Sequence, residues 1–143
     1  AEALADVKMP IETENGASVV LSGKVSSLSS EWKTCCIDAG GWTFETPMAS
    51  LAMGSQVRLR VLARDVSIAV EKPDSISIRN RLQAEVEEIA AHLSEPAYQL
   101  VKLKCPNGEG RLVSRILRQS VTELGLHPGS QVWALVKASA VIM

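Results

Sequence analysis

The chain contains an internal repeat that constrains its fold more than any other feature. The segments 54–68 and 129–143 align without gaps, and the identical residues in the first copy are Gly54, Ser55, Gln56, Val57, Val61, Ala63 and Val66. Each copy begins with a glycine turn and continues as an alternating apolar segment, a pattern that is typical of a β-strand. A unit that recurs in this way predicts two copies of one small β structure packed together.

Composition excludes several classes of protein. The 143 residues are 46% hydrophobic and 22% charged, which is ordinary for a globular protein. Fifteen Lys and Arg against sixteen Asp and Glu give a net charge of -1, too little to attract nucleic acid or an anionic membrane. No apolar run approaches the roughly 20 residues that span a bilayer. The three cysteines are Cys35, Cys36 and Cys105. They lack the spaced pairs of a metal site and suit a reducing compartment, so we expect a cytoplasmic protein without a bound metal.

Turn signals divide the chain into many short strands. Gly40-Gly41 and Pro106-Asn107-Gly108 each predict a hairpin, and the long segment Gln56–Val70 is expected to bend near Arg64-Asp65. Apolar spacing over Ile116–Leu124, followed by Gly125, predicts a short helix with a glycine after its end. The predicted fold is all-β, with two tandem OB-like small β-barrel lobes and one short helix in each lobe. The predicted divisions are a lead-in at 1–15, a first lobe at 16–72 and a second lobe at 73–143.

Catalytic machinery is not visible in the sequence. His92 and His127 lie outside any catalytic motif, and no nucleotide-binding loop is present, so this chain is not expected to be an enzyme. Single-stranded nucleic acid requires aromatic platforms over a basic groove. Aromatic residues make up only 3% of the chain, so nucleic acid is not an expected partner.

One set of polar residues has the chemistry of an oxyanion site. Ser77, Arg79 and Asn80 lie where a strand is predicted to begin, and Lys137 and Ser139 lie where another strand bends. A tetrahedral dianion offers only hydrogen-bond acceptors, so its site needs donors and positive charge and, we expect, no carboxylate. Spacing alone, however, favours the simpler interpretation that Arg79 and Lys137 are surface residues beside ordinary strand ends.

These residues also carry a resemblance to a known family. Ser77-Ile78-Arg79-Asn80-x-Leu82-x-Ala84-x-Val86 resembles the opening Ser-x-Arg-Asn-x-Leu-x-Gly-x-Val of Mop-type molybdate-binding domains, with alanine in place of the glycine. Lys137-Ala138-Ser139-Ala140-Val141 is similar to their closing motif, and Glu123-Leu124-Gly125-Leu126 to an intervening one. The segment Ala63-Arg64-Asp65-Val66-Ser67 resembles the C-terminal regulatory part of molybdate importer ATPase subunits, in which such domains occur in tandem (di-Mop/TOBE).

The resemblance implies a domain that binds molybdate or tungstate and needs no other cofactor. It implies an oxyanion site formed by Ser77, Arg79, Asn80, Ser120, Lys137, Ala138 and Ser139, with Ser120 matching a hydroxyl at the start of the family's helix. Leu62 stands in the first copy where Lys137 stands in the second, and Ser18 stands where Arg79 does. One type of competent site per chain is therefore expected.

The resemblance also implies a molecular setting. We expect two such chains to form a homodimer. We also expect the full-length protein to have an upstream ATPase domain, a membrane permease as partner and a place at the cytoplasmic face of the membrane, with no membrane insertion of its own. Two alternatives remain open: the sensor domain of a molybdate-responsive transcription regulator, and a dimerisation module that has no ligand.

Overall fold

The computed structural model describes residues 17–47 and 50–143, so the predicted lead-in at 1–15 lies outside the described residues. Strands provide nearly all of the regular structure. The first four are β1 (Ser18–Ser29), β2 (Thr34–Ala39), β3 (Trp42–Pro47) and β4 (Gln56–Leu62). They form one sheet in the order β3-β2-β1-β4, in which every neighbouring pair is antiparallel. The hairpin predicted at Gly40-Gly41 is confirmed, because β2 and β3 flank these two residues.

Five further strands form a second sheet. They are β5 (Ser67–Ala69), β6 (Asn80–Ala91), β7 (Tyr98–Lys104), β8 (Arg111–Leu117) and β9 (Gln131–Val136). Their order is β5-β9-β6-β7-β8, again with antiparallel neighbours. The prediction of an all-β protein with two lobes is thus confirmed.

Each strand of the repeat continues from its own sheet onto the other sheet. A 3₁₀ turn at Ala63–Asp65 follows β4, and beyond it β5 pairs with β9. A second 3₁₀ turn at Ala138–Ala140 follows β9, and beyond it Ile142 exchanges two backbone hydrogen bonds with Arg60 of β4, at 2.7 and 3.1 Å. The predicted bend in the first copy is confirmed. The lobe boundary at residue 72 stays a prediction, since β5 precedes it yet hydrogen-bonds in the second sheet.

The sequence repeat corresponds to a repeated local structure. Gly54 and Gly129 both adopt a positive φ, at 80° and 97°. The N–H of Gly54 donates to the carbonyl of Val25 (2.9 Å), and the N–H of Gly129 donates to the carbonyl of Val86 (2.7 Å). Val25 and Val86 each adjoin a register shift in their strand. The two copies are therefore the same unit of turn, bulge and strand, used twice.

The helix of the second lobe is shorter than its apolar spacing predicted. Ile116 and Leu117 extend β8, where they pair with Gln99 and Tyr98, and α1 (Arg118–Glu123) begins after them. The hydrogen bonds between β7 and β8 thus determine the structure at these two positions, although the apolar spacing is that of a helix. Gly125 has a φ of 64° and follows the end of α1, which confirms the predicted glycine.

No second α-helix occurs in the described part of the chain. The helix predicted for the first lobe therefore has no α-helical counterpart in residues 17–47 and 50–72, and residues 48–49 lie outside the described residues.

The two lobes share one hydrophobic core and meet at their hairpin turns. Phe44 and Leu59 of the first sheet belong to the same buried cluster as Leu103 of the second. At the turns, the N–H of Gly110 donates to the carbonyl of Gly40 at 2.8 Å. A Cβ on Gly110 would lie 2.8 Å from that carbonyl oxygen, closer than real side chains approach. The contact therefore requires glycine at position 110.

We predict that Gly110→Ala lowers the free energy of unfolding by about 1–3 kcal/mol, because the added methyl group overpacks a contact between two backbones. Urea denaturation measures the change. Gly54→Ala is the control: Gly54 has a positive φ but no atom within 4 Å of its Cβ position, so it tests backbone strain alone. A Gly110→Ala protein as stable as the wild type would contradict the close contact between the hairpins.

Candidate functional site

The opening and closing signatures lie at the same end of the second sheet. Asn80 of β6 pairs with Val136 of β9, and this is the last pair of their ladder. Arg79 and Lys137 are the next residues outward on the two strands. Ser77 lies in a bend two residues before Arg79, and both it and Ser139 are exposed. The antiparallel register thus brings together two signatures that are separated by some 60 residues in the sequence.

Asn80 has a structural role that the sequence did not predict. Its side chain is buried, and its Oδ1 accepts a hydrogen bond from the backbone N–H of Glu45 at 2.6 Å. Its Nδ2 donates to the carbonyl of the same residue at 2.9 Å. Both polar atoms of the amide are therefore used to hold β3 of the first lobe against β6 of the second. Asn80 positions the site, and Glu45 is brought to it.

The guanidinium of Arg79 is paired with a carboxylate of the first lobe. Arg79 Nε lies 2.9 Å from Glu45 Oε1, and the side chains are 67% and 22% exposed. The expectation of a carboxylate-free site is wrong, because β3 places Glu45 beside Arg79. This contact could not be predicted from the sequence, since alternation predicts an exposed position for Glu45 but does not predict which strand end it faces.

An open cleft of about 400 Å³ lies around this ion pair. We call it the interlobe cleft, because its lining comes from both lobes: Trp32, Thr34, Glu45, Arg79 and Ala138. Next to Glu45 in the chain, Thr46 donates from Oγ1 to the carbonyl of Ala138 at 3.4 Å. Trp32, which is 71% exposed, and Thr34 were not predicted as site residues. They belong to the other lobe, which the sequence motifs of the second copy do not describe.

Lys137 lines a smaller cavity of about 190 Å³, which we call the lysine cavity. Its other lining residues come mainly from the two 3₁₀ turns and the strand ends beside them: Arg64, Asp65, Ser67, Ile78, Leu135 and Ala140. Because Ile78 precedes Arg79 and Lys137 precedes Ala138, the chain runs directly from each cavity into the other. The two cavities together present three cationic side chains against two carboxylates, a balance that suits an anion.

Ser120 lies apart from both cavities within one chain. It is on α1, which packs on β7 and β8, and its carbonyl accepts the N–H of Leu124 at 2.9 Å. Neither the interlobe cleft nor the lysine cavity includes it among its lining residues. Within a single chain, the two strand ends therefore lie together, and the helix lies apart from the cavities beside them.

The corresponding end of the first sheet has different chemistry. Ser18 of β1 pairs with Leu62 of β4, in the place that Arg79 and Lys137 occupy in the second sheet. Leu62 is buried and uncharged. The first lobe thus presents no cation at either of these two positions.

The described residues lack two features that would indicate other functions. Among residues 17–47 and 50–143, no group of three His, Cys, Asp or Glu side chains could hold a metal ion. Over the same residues, no helix has the length and apolarity needed to cross a membrane.

The fold and the site define a tandem of small β lobes that meet at a cleft lined by an arginine–glutamate ion pair. Residues 76–143 match the family model of the TOBE domain. The resemblance inferred from the opening and closing signatures is thereby confirmed.

Curated relatives are similar over nearly the whole chain. The molybdenum import ATP-binding protein ModC of Brucella abortus is 42% identical over 140 residues, which are 97% of this chain and 38% of the relative. The proteins of the same name from Pseudomonas fluorescens and Methylococcus capsulatus are 36% and 32% identical, over 99% of this chain and 39% of each relative. The chain thus spans less than two-fifths of the length of these relatives.

A solved structure is similar over both lobes. It is that of the cytoplasmic molybdate-binding protein ModG with molybdate bound, which is 28% identical, with a TM-score of 0.72. The match covers 94% of this chain and 97% of the other. The tandem arrangement of this chain is therefore the arrangement of a protein solved with the anion.

The role of Asn80 can be tested through stability. We predict that Asn80→Ala lowers the free energy of unfolding by about 1–3 kcal/mol, because the backbone N–H and carbonyl of Glu45 lose their partners at a largely buried position. Urea denaturation measures the change. Gln83→Ala, which removes an exposed amide from the same strand, is the control and should change stability far less. Equal effects of the two substitutions would contradict a structural role for the Asn80 amide.

Proposed function

We propose that this chain is an oxyanion-binding domain whose ligand is molybdate or tungstate, with the anion held where β6 begins and β9 ends. The observation that carries the proposal is the register of these strands: Asn80 pairs with Val136 at the end of the ladder, and Arg79 and Lys137 are the next residues of the two chain segments, each lining one of two cavities. Two cationic side chains at adjacent positions supply the charge and the donors that a dianion needs. Similarity to the molybdate-binding protein ModG supports this choice of anion.

Each predicted residue has a proposed part. Arg79 and Lys137 supply charge-assisted hydrogen bonds, and the exposed hydroxyls of Ser77 and Ser139 can donate to further oxygens. Ala138 contributes its backbone, since the first N–H groups of a helical turn have no acceptor within the turn. Asn80 keeps the strand end in place through its contacts with Glu45.

On this proposal, Ser120 contacts the anion that is bound at the strand ends of a second copy of the chain. It lies on α1, away from both cavities of its own chain, so a hydroxyl from the helix would reach the anion from a paired protomer. A homodimer in which α1 of one copy faces the strand ends of the other is therefore part of the proposed function.

We further propose that the domain regulates a molybdate importer. The relatives named as molybdenum import ATP-binding proteins are more than twice as long as this chain, which leaves room in them for a separate ATPase domain. On this proposal the chain itself is not catalytic, its partners are an upstream ATPase domain and a membrane permease, and it acts at the cytoplasmic face of the membrane. Anion binding would favour one arrangement of two paired domains over another.

The relatives favour the importer over a transcription regulator. One observation does favour the other alternative, a dimerisation module without a ligand: the guanidinium of Arg79 already has a carboxylate partner in Glu45. The ion pair is largely exposed at the arginine, however, and such pairs are weak, so a dianion can compete for the guanidinium.

Binding is tested by calorimetry with molybdate, with phosphate as the comparison anion. We predict that Arg79→Ala and Lys137→Ala each weaken molybdate binding by about 1–3 kcal/mol, the range for a hydrogen bond to a charged group. Arg58→Ala is the matched control, because Arg58 is an exposed arginine of β4 that lines neither cavity. No heat with millimolar molybdate, or equal losses in all three variants, would contradict the proposed site.

A further inference from the structure

We infer that Glu45 is an internal competitor for the anion: its carboxylate occupies the Arg79 guanidinium in the free protein and must give way when the anion binds. This inference rests on the proposed function and adds a residue that lowers affinity and alters selectivity. None of the sequence signatures includes Glu45, which belongs to β3 of the other lobe.

The geometry places the carboxylate where an anion would be expected. Glu45 Oε1 lies 2.9 Å from Arg79 Nε, the distance of a charge-assisted hydrogen bond. Both side chains line the interlobe cleft, together with Ala138 of the closing signature. A carboxylate oxygen is an acceptor with negative charge, as an oxyanion oxygen is, so the two ligands compete for the same donor.

The contacts of Asn80 prevent the carboxylate from leaving the region. They fix the backbone N–H and carbonyl of Glu45 at 2.6 and 2.9 Å, so only the side-chain torsions of Glu45 can change. After displacement by a dianion, the carboxylate therefore remains near it. Like charges at short range repel, and this repulsion lowers the affinity further.

The solvent exposure of the ion pair limits how much Glu45 can lower the affinity for the anion. Because the Arg79 side chain is 67% exposed, the ion pair is screened by water, and breaking it shifts the equilibrium by no more than about fivefold. Residual repulsion adds to this loss. Glu45 therefore sets the affinity of the site without blocking it, which suits a domain that responds only when the anion is abundant.

Glu45 also distinguishes anions that carry a proton from anions that do not. Molybdate has only acceptor oxygens at neutral pH, whereas hydrogen phosphate retains one hydroxyl that can donate to a carboxylate. The repulsive element in the cleft therefore acts more strongly against molybdate than against hydrogen phosphate. Removing the charge of Glu45 should increase the preference for molybdate.

The test is to titrate the 143-residue chain and its Glu45→Gln variant with sodium molybdate and, in separate titrations, with sodium phosphate. Glutamine keeps the shape of the side chain and the backbone contacts with Asn80 but removes the charge. We expect Glu45→Gln to bind molybdate about 2–10-fold more tightly, with a smaller gain for phosphate. Glu85→Gln is the matched control: it removes one carboxylate that lies 3.8 Å from Lys104, away from the cleft, and should leave affinity unchanged.

The outcomes separate this inference from the function on which it rests. If the wild type binds molybdate and Glu45→Gln binds equally or more weakly, the competitor role is overturned while the proposed function stands. If Glu85→Gln gains as much as Glu45→Gln, the effect comes from net charge and the inference is again overturned. If no variant binds molybdate, the proposed function fails and the inference fails with it. A purely structural role of Glu45 would lower stability but would not tighten binding.

Discussion

The contact between the Asn80 amide and the backbone of Glu45 determines how the two lobes form a common site. A buried amide must satisfy its donor and its acceptor, and here both find partners on one residue of the other lobe, at 2.9 and 2.6 Å. These two hydrogen bonds join the start of β6 to β3, much as a pair of backbone hydrogen bonds joins two neighbouring strands. Arg79 directly precedes Asn80, so the same contact fixes the guanidinium opposite the carboxylate of Glu45. The positions of the cation and of its competitor therefore have a single physical origin.

The chain connections make the lobes interdependent. β5 leaves the first copy to pair with β9, and Ile142 leaves the second copy to pair with Arg60 of β4. Each lobe thus makes backbone hydrogen bonds with the sheet of the other, and the hairpin turns meet through Gly40 and Gly110. An anion bound at the end of β6 and β9 contacts a structure that belongs to both lobes. On the proposed function, an effect of the anion on the arrangement of paired domains would act through this shared structure.

Features that depend on local sequence were predicted well. Turn glycines, strand alternation and the repeat are recorded in neighbouring residues, and the hairpin at Gly40-Gly41, the bend after β4 and the glycine after α1 are all confirmed. The start of α1 was misplaced because Ile116 and Leu117 satisfy both a helical and a strand pattern, and only pairing with β7 decides between them.

Features that depend on contacts between the lobes were not predicted. Glu45 and Trp32 enter the site from the first lobe, and no periodicity in the sequence indicates which strand end they face. The burial of Asn80 was missed for the same reason, since its partner lies 35 residues away in the chain. The part of Ser120 remains a prediction, because it depends on a second copy of the chain.

The most direct measurement is an anomalous difference map from crystals of this chain grown with tungstate, whose heavy atom locates the anion without reference to any assumed contact. We predict a peak within hydrogen-bonding distance of both the Arg79 guanidinium and the Lys137 ammonium, which belong either to one protomer or to the two protomers of a symmetric pair. The Glu45 carboxylate is then turned away from Arg79. A tungstate peak at a site remote from both cations, with the Arg79–Glu45 ion pair intact, would contradict this prediction.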